Sequence, residues 1–142
     1  MRLEETGPRS RWLLVVALLA GAFGIATIAS GGRVLFGPDS ARAAAGHVVA
    51  FVLWFNFLAG FAYVGAAAGL ALDRRWAAWL SAGIAAATLL AYLALGVHVL
   101  GGGAFERRTV VAVAFRAGTW VAIAVVAWRG LPRVGGPPRK EG

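Results

Sequence analysis

The chain has 142 residues, 60% of them hydrophobic, with no cysteine and a net charge of +8. Such a composition lies well above soluble usage and leaves little room for a water-soluble catalytic domain. The missing cysteine excludes disulfides, thiol redox chemistry and Cys-ligated clusters, and the single Met excludes a Met-rich copper path.

The basic residues flank long apolar blocks. That position assigns them to topology and to anionic head groups rather than to nucleic acid. The abundance of Ala, Gly, Val and Arg resembles the products of GC-rich bacterial genomes. Together these features predict a multi-pass protein of a bacterial cytoplasmic (inner) membrane.

Residues 1–11 read as a polar, basic cytoplasmic tail in which Pro8 disfavours helix before it. The first span is predicted over residues 12–30. It reads as an uncleaved helix and not as a secretory signal, because its apolar run is nearer full span length. Ala17, Gly21, Gly24 and Ile28 recur at helical spacing and leave a face that another helix can approach closely. Gly31 and Gly32 are expected to end it. Residues 31–42 then form a loop in which Gly37 and Pro38 mark a turn and Asp39 or Ser40 caps the next helix.

The second span is predicted over residues 43–72, without a formal charge but with His47, Trp54, Asn56 and Tyr63. Asp73, Arg74 and Arg75 make a tight polar turn. The third span covers 76–100 and is broken by Gly101, Gly102 and Gly103. The fourth covers 107–128. Residues 129–142 read as a disordered basic cytoplasmic tail punctuated by Pro132, Pro137 and Pro138.

The predicted fold is therefore an all-α membrane protein, a four-transmembrane-helix up-down antiparallel bundle. Short connections favour antiparallel neighbours, and the chain lacks the alternating strands of a barrel. An N-in/C-in orientation places Arg2, Arg9, Arg11, Arg74, Arg75, Arg129, Arg133, Arg139 and Lys140 inside. Only Arg33, Arg42, Arg107 and Arg108 fall outside. The same orientation collects Trp12, Trp76, Trp79 and Trp128 into an inner aromatic belt.

Antiparallel spans bring His47 and His98 to one rim, with Glu106 and Asp39 nearby. Two imidazoles and one or two carboxylates are a donor set for a divalent metal, Zn, Cu(II), Mn or Fe. The imidazoles alone suit a b-type haem held axially. The plainer alternative is that each histidine bonds backbone, water or lipid, and that Glu106 pairs with Arg107 or Arg108.

Arg116 is the more unusual residue, nine positions into the fourth span and roughly 13 Å along its axis. A charge at that depth costs a few kcal/mol and belongs on the bundle interior or a wet cavity. Asn56 is expected at the same depth, so an Asn56–Arg116 pair is the first contact to look for. Tyr63 continues the Asn56 face, and Trp120 the Arg116 face. This intramembrane polar cluster of Asn56, Tyr63, Arg116 and Trp120 is open to three uses: a structural clamp, a path for an anion, or the polar end of a quinone slot. Nucleophilic catalysis lacks a base, because His98 lies about 25 Å along the helix from Ser81.

One stretch resembles a known family. Asn56, Phe57, Leu58, Ala59 and Gly60, then Gly65, Gly69 and Leu70, Arg74 and Arg75, and Ala77 and Ala78 are similar to the DoxX family of small four-helix bacterial membrane proteins. Asn56 occupies the position at which that family tends to carry an acid. The resemblance implies a four-helix bundle that partners redox or detoxification proteins. The leading functional expectation, drawn from the small size, the small-residue helix faces and the few polar groups, is a non-catalytic subunit or partner in a larger membrane assembly, a redox assembly among the candidates, with other subunits or further copies of itself. The alternatives are a haem- or metal-binding protein using His47 and His98, and a small transporter or channel lined by Asn56, Tyr63 and Arg116.

Overall fold

The computed structural model describes residues 8–131, all helical or connecting, with no strand among them. The order is α1 (Pro8–Phe36), α2 (Asp39–Ala45), α3 (Ala50–Ala71), α4 (Trp76–Leu100) and α5 (Arg107–Gly130). Helix is the state these runs must take in lipid, because it satisfies each backbone N–H and C=O within its own segment. All but α2 are long and apolar enough to cross a membrane. The 22 residues of α3 extend about 33 Å, against roughly 30 Å of hydrocarbon. Much of each long helix faces outward, including large apolar side chains such as Leu90, Val97 and Val111. An apolar surface of that extent belongs against lipid or another membrane helix.

Several boundaries differ from expectation. The first helix starts at Pro8, which is tolerated in a first turn, and continues through Gly31 and Gly32 to Phe36. The two glycines do not terminate it; a Cβ on Gly31 would sit 3.2 Å from the Phe57 Cβ, so their smallness serves packing on α3. The expected loop over 31–42 is largely helical, and residues 43–45 belong to α2 rather than to the second span. Gly46, at φ +73°, separates α2 from α3. Pro38 is the N-cap of α2, and neither Asp39 nor Ser40 caps it. The last helix extends two residues beyond Trp128, to Gly130. The expected tails at 1–7 and 132–142 lie outside the described residues.

The α3–α4 and α4–α5 connections use one device. Arg74 N donates to Gly69 O and Asp73 N to Leu70 O; Gly103 N donates to His98 O and Gly102 N to Val99 O. Both are Schellman closures, whose pivot needs a left-handed residue. Asp73 at φ 51° and Gly102 at φ 79° supply it. Asp is among the few side chains that visit this region.

The core is built on small residues. Helix α1 packs most extensively on α3, and α4 packs on both α3 and α5. Gly21 lies beside Ala67, Gly24 beside Gly60, and Gly31 beside Phe57. Gly65 lies beside Leu80, and Gly69 beside Trp76 and Ala77. The main core gathers Leu13, Ala17, Ala20, Tyr63, Leu70, Ile84 and Trp120; a smaller one gathers Val49, Val52, Leu95 and Val113. Helices α1 and α5 meet only slightly, and the space left between them holds the candidate site.

Candidate functional site

A cavity of about 370 Å³ lies between α1, α3 and α5. Helix α1 contributes Thr27, Ser30, Gly31 and Val34; α2 contributes its last residue, Ala45; α3 and the chain leading into it contribute Val48, Val49, Val52, Leu53 and Asn56. Helix α5 contributes Arg108, Thr109, Ala112 and Arg116. Their spacing keeps them on one helix face. Two guanidinium groups therefore share a mostly apolar cavity, and no Asp or Glu is among its lining residues.

Arg108 stands at the rim. Its Nη2 donates to the carbonyls of Ala44 and Ala45, the last residues of α2, at 2.8 and 2.6 Å. A cation there complements the carbonyl end of a helix. Arg42 does the same for α1, donating to Val34 O at 3.3 Å and Leu35 O at 3.2 Å.

Arg116 stands about 12 Å deeper along α5. The expected Asn56–Arg116 pair is not made. The Arg116 Nη2 donates to Thr27 Oγ1 on α1, a long bond of 3.4 Å, and its guanidinium carbon lies 5.5 Å from the Phe23 ring centroid. Arg116 Nε and Asn56 Oδ1 are buried and lack a hydrogen-bond partner. Both residues line the cavity, so shared depth brought them to one space without bringing them into contact.

Beyond Arg116 the bundle closes on aromatic rings. Phe23 stacks on Tyr63 with centroids 5.8 Å apart, and Tyr63 lies on Trp120 at 4.5 Å. Thr88 and Trp120 adjoin the Tyr63 hydroxyl, but neither the hydroxyl nor the Trp120 Nε1 makes a hydrogen bond of good geometry. The expected cluster thus splits into two layers: Asn56 and Arg116 on the cavity, Tyr63 and Trp120 in the packed floor.

The histidines serve the connections. His47 follows Gly46 in a loop instead of sitting on α3, and its backbone N donates to Glu106 Oε1 at 3.1 Å. His47 lines a second cavity of about 600 Å³ with Arg42, Trp54 and Ala104. The His98 ring Nε2 lies 3.2 Å from Ala104 O and packs edge-on against Phe51. Asp39 pairs with Arg42 on its own helix at 3.9 Å. Among the described residues no group of three or more His, Cys, Asp or Glu is placed to hold a metal ion. The set His47, His98, Glu106 and Asp39 is therefore not assembled as a metal centre.

Three contributors escaped the sequence reading: Thr27, Ser30 and Arg108. Thr27 and Ser30 are isolated hydroxyls in an apolar run, a signal visible in the sequence. Arg108 looks like one more flanking charge until the fold turns it toward α2. No family model, no curated protein and no solved structure matches the chain.

Proposed function

We propose that this chain is a non-catalytic protein of a bacterial cytoplasmic membrane that holds an anionic ligand in the α1–α3–α5 cavity, as a binding or carrier component. The bundle is up-down and antiparallel, with both ends inside. Ascending residues of α1 meet descending residues of α3, and the same reversal relates Gly65 and Gly69 of α3 to Leu80 and Trp76 of α4. On α4 and α5, Trp79 near one start meets Trp128 near the other end. The clustering of Arg74, Arg75, Trp79 and Trp128 at one end supports placing it inside.

The observation that carries the reading is Arg116: a guanidinium deep in a span, beside a cavity without a carboxylate, with one long hydrogen bond. Intramembrane charges are expensive and usually functional. A unit anion 4 Å away gains about 4 kcal/mol at an effective dielectric of 20, against about 1 in water. The lining hydroxyls of Thr27, Ser30 and Thr109 have no His, Lys, Asp or Glu beside them in the cavity. Nucleophile activation needs such a base, which favours binding over turnover.

The test is thermal unfolding of the full chain in lipid nanodiscs with acetate, phosphate or octanoate. Binding to the folded state raises stability by about 1.4 kcal/mol at ten times Kd. The wild type is expected to gain stability from at least one of these anions and Arg116→Gln to gain none. Identical responses of the two proteins to all three would end the reading.

A second observation favours membership of a larger assembly. Added Cβ atoms on Gly83, Gly96 and Gly118 would meet nothing within 4 Å, so the backbone there is open to close approach by another helix. Mild extraction followed by sizing tests it, and an isolated monomer would count against it. The resemblance to the DoxX family, on residues 56–79, is compatible with that role.

A further inference from the structure

We infer that the ligand of this cavity is a monoanionic amphiphile taken sideways from the bilayer: a hydrocarbon chain ending in a carboxylate or phosphate oxyanion. The inference rests on the anion reading above and names the ligand class. Three observations lead to it.

The walls are mostly hydrocarbon. Val34, Val48, Val49, Val52 and Leu53 line the cavity beside the two arginines. A small hydrated anion would shed water against those side chains without replacement. A chain-bearing anion satisfies both surfaces, its head on the guanidinium and its tail on the valines.

The mouth faces lipid. Ser30 on α1 and Ala112 on α5 line the cavity and are exposed. Both lie within the spans: Ser30 about 9 Å before the end of α1, Ala112 about 7.5 Å after the start of α5. Helices α1 and α5 scarcely touch each other. The opening between them is therefore at hydrocarbon depth, where an acyl chain already is.

The polar groups form a track. Arg108 and Thr109 mark its rim, and Arg116 with Thr27 its depth, one charge near each end. An oxyanion entering past Arg108 reaches Arg116 along one face of α5. The aromatic layer of Phe23, Tyr63 and Trp120 stops it there. A cavity of about 370 Å³ is near the lower end of small-molecule sites, roughly 300–1,000 Å³. It takes the head and the first part of a chain, and the remainder stays between α1 and α5 in the bilayer.

The experiment is photocrosslinking in nanodiscs with a diazirine-bearing fatty acid and the alcohol of identical chain. The acid should label α1 near Ser30 and Val34 and α5 near Ala112, about tenfold above the alcohol, the worth of a charge-assisted hydrogen bond. Arg116→Gln should lower the acid to the alcohol's level, and Arg116→Lys should keep most of it. Equal labelling by acid and alcohol in the wild type overturns the inference, whatever the variants do. If the acid fails to label while acetate or phosphate stabilises the protein through Arg116, the amphiphile falls and the anion site stands. If no anion acts through Arg116 in either experiment, both fall together.

Discussion

The Tyr63 ring of α3 lies against the Trp120 ring of α5, centroids 4.5 Å apart and planes 36° apart, with both side chains fully buried. The two rings join the helices that carry Asn56 and Arg116, and so set the floor of the cavity. Neither polar group makes a hydrogen bond of good geometry, although Thr88 and Trp120 adjoin the Tyr63 hydroxyl. The pair therefore holds chiefly by packing, and the hydroxyl contributes little. Tyr63→Phe should match the wild type or exceed it, since an unsatisfied buried polar group costs about 1–3 kcal/mol. Trp120→Ala should lose about 3–5 kcal/mol. Reversible unfolding in mixed micelles measures both. A large loss in Tyr63→Phe would mean the hydroxyl is hydrogen-bonded after all.

Gly60 should lose stability on substitution by alanine and Gly118 should not. A Cβ on Gly60 would come within 2.6 Å of Ile28 Cγ1 and 3.2 Å of the Gly24 carbonyl, whereas one on Gly118 would meet nothing. Overpacking costs about 1–3 kcal/mol, and an exposed helical glycine loses about 0.5–1 kcal/mol relative to alanine. Gly60→Ala is thus expected to loosen α1 from α3 and Gly118→Ala to be neutral or stabilising. Adding Ile28→Ala to Gly60→Ala should return part of the loss. Double-mutant unfolding reads that coupling.

Arg116 is held by one 3.4 Å hydrogen bond and the Phe23 ring. Such contacts are weak return for a charge buried in a span, so Arg116→Leu should leave stability unchanged or raise it by up to a few kcal/mol. It should also abolish the response to anions. A clamp between α1 and α5 would behave in the opposite way, losing stability on the same substitution.

The Glu106 carboxylate holds the loop before α3 through the His47 amide. It also lies so close to Gly46 that a Cβ there would collide with it. Glu106→Ala should speed exchange of the His47 amide by about threefold to tenfold, an exposed charge-assisted bond being at the low end of its range. Glu106→Gln keeps an acceptor oxygen and should restore most of the protection. Amide exchange in nanodiscs distinguishes them.

The absence of native cysteine makes topology directly measurable. With both ends inside, Ala104→Cys should react with a membrane-impermeant maleimide on intact cells, and Arg74→Cys only after the membrane is opened. The reverse pattern would invert the bundle and place the cavity rim in the cytoplasm.

Much of this architecture was legible in the residues themselves. Long apolar runs separated by polar turns predict four helices, and α4 spans the expected 76–100, because its Trp-flanked start and glycine-rich end are local signals. The oddity of Arg116 was equally plain, since the cost of a charge in hydrocarbon depends only on its depth. Tertiary structure decided what the glycines do and whom the polar groups meet. Gly31 and Gly32 look like a helix stop, yet contact with Phe57 makes them an interface. Residues 43–45 look like part of a span, yet Gly46 and the hold of Arg108 on Ala44 and Ala45 make them the end of a separate short helix. Arg116 turns to Thr27 and not to Asn56. Hydropathy is a sum over one segment and survives any packing. A hydrogen bond or a close approach depends on the rotation of two helices about their axes, which no single segment encodes.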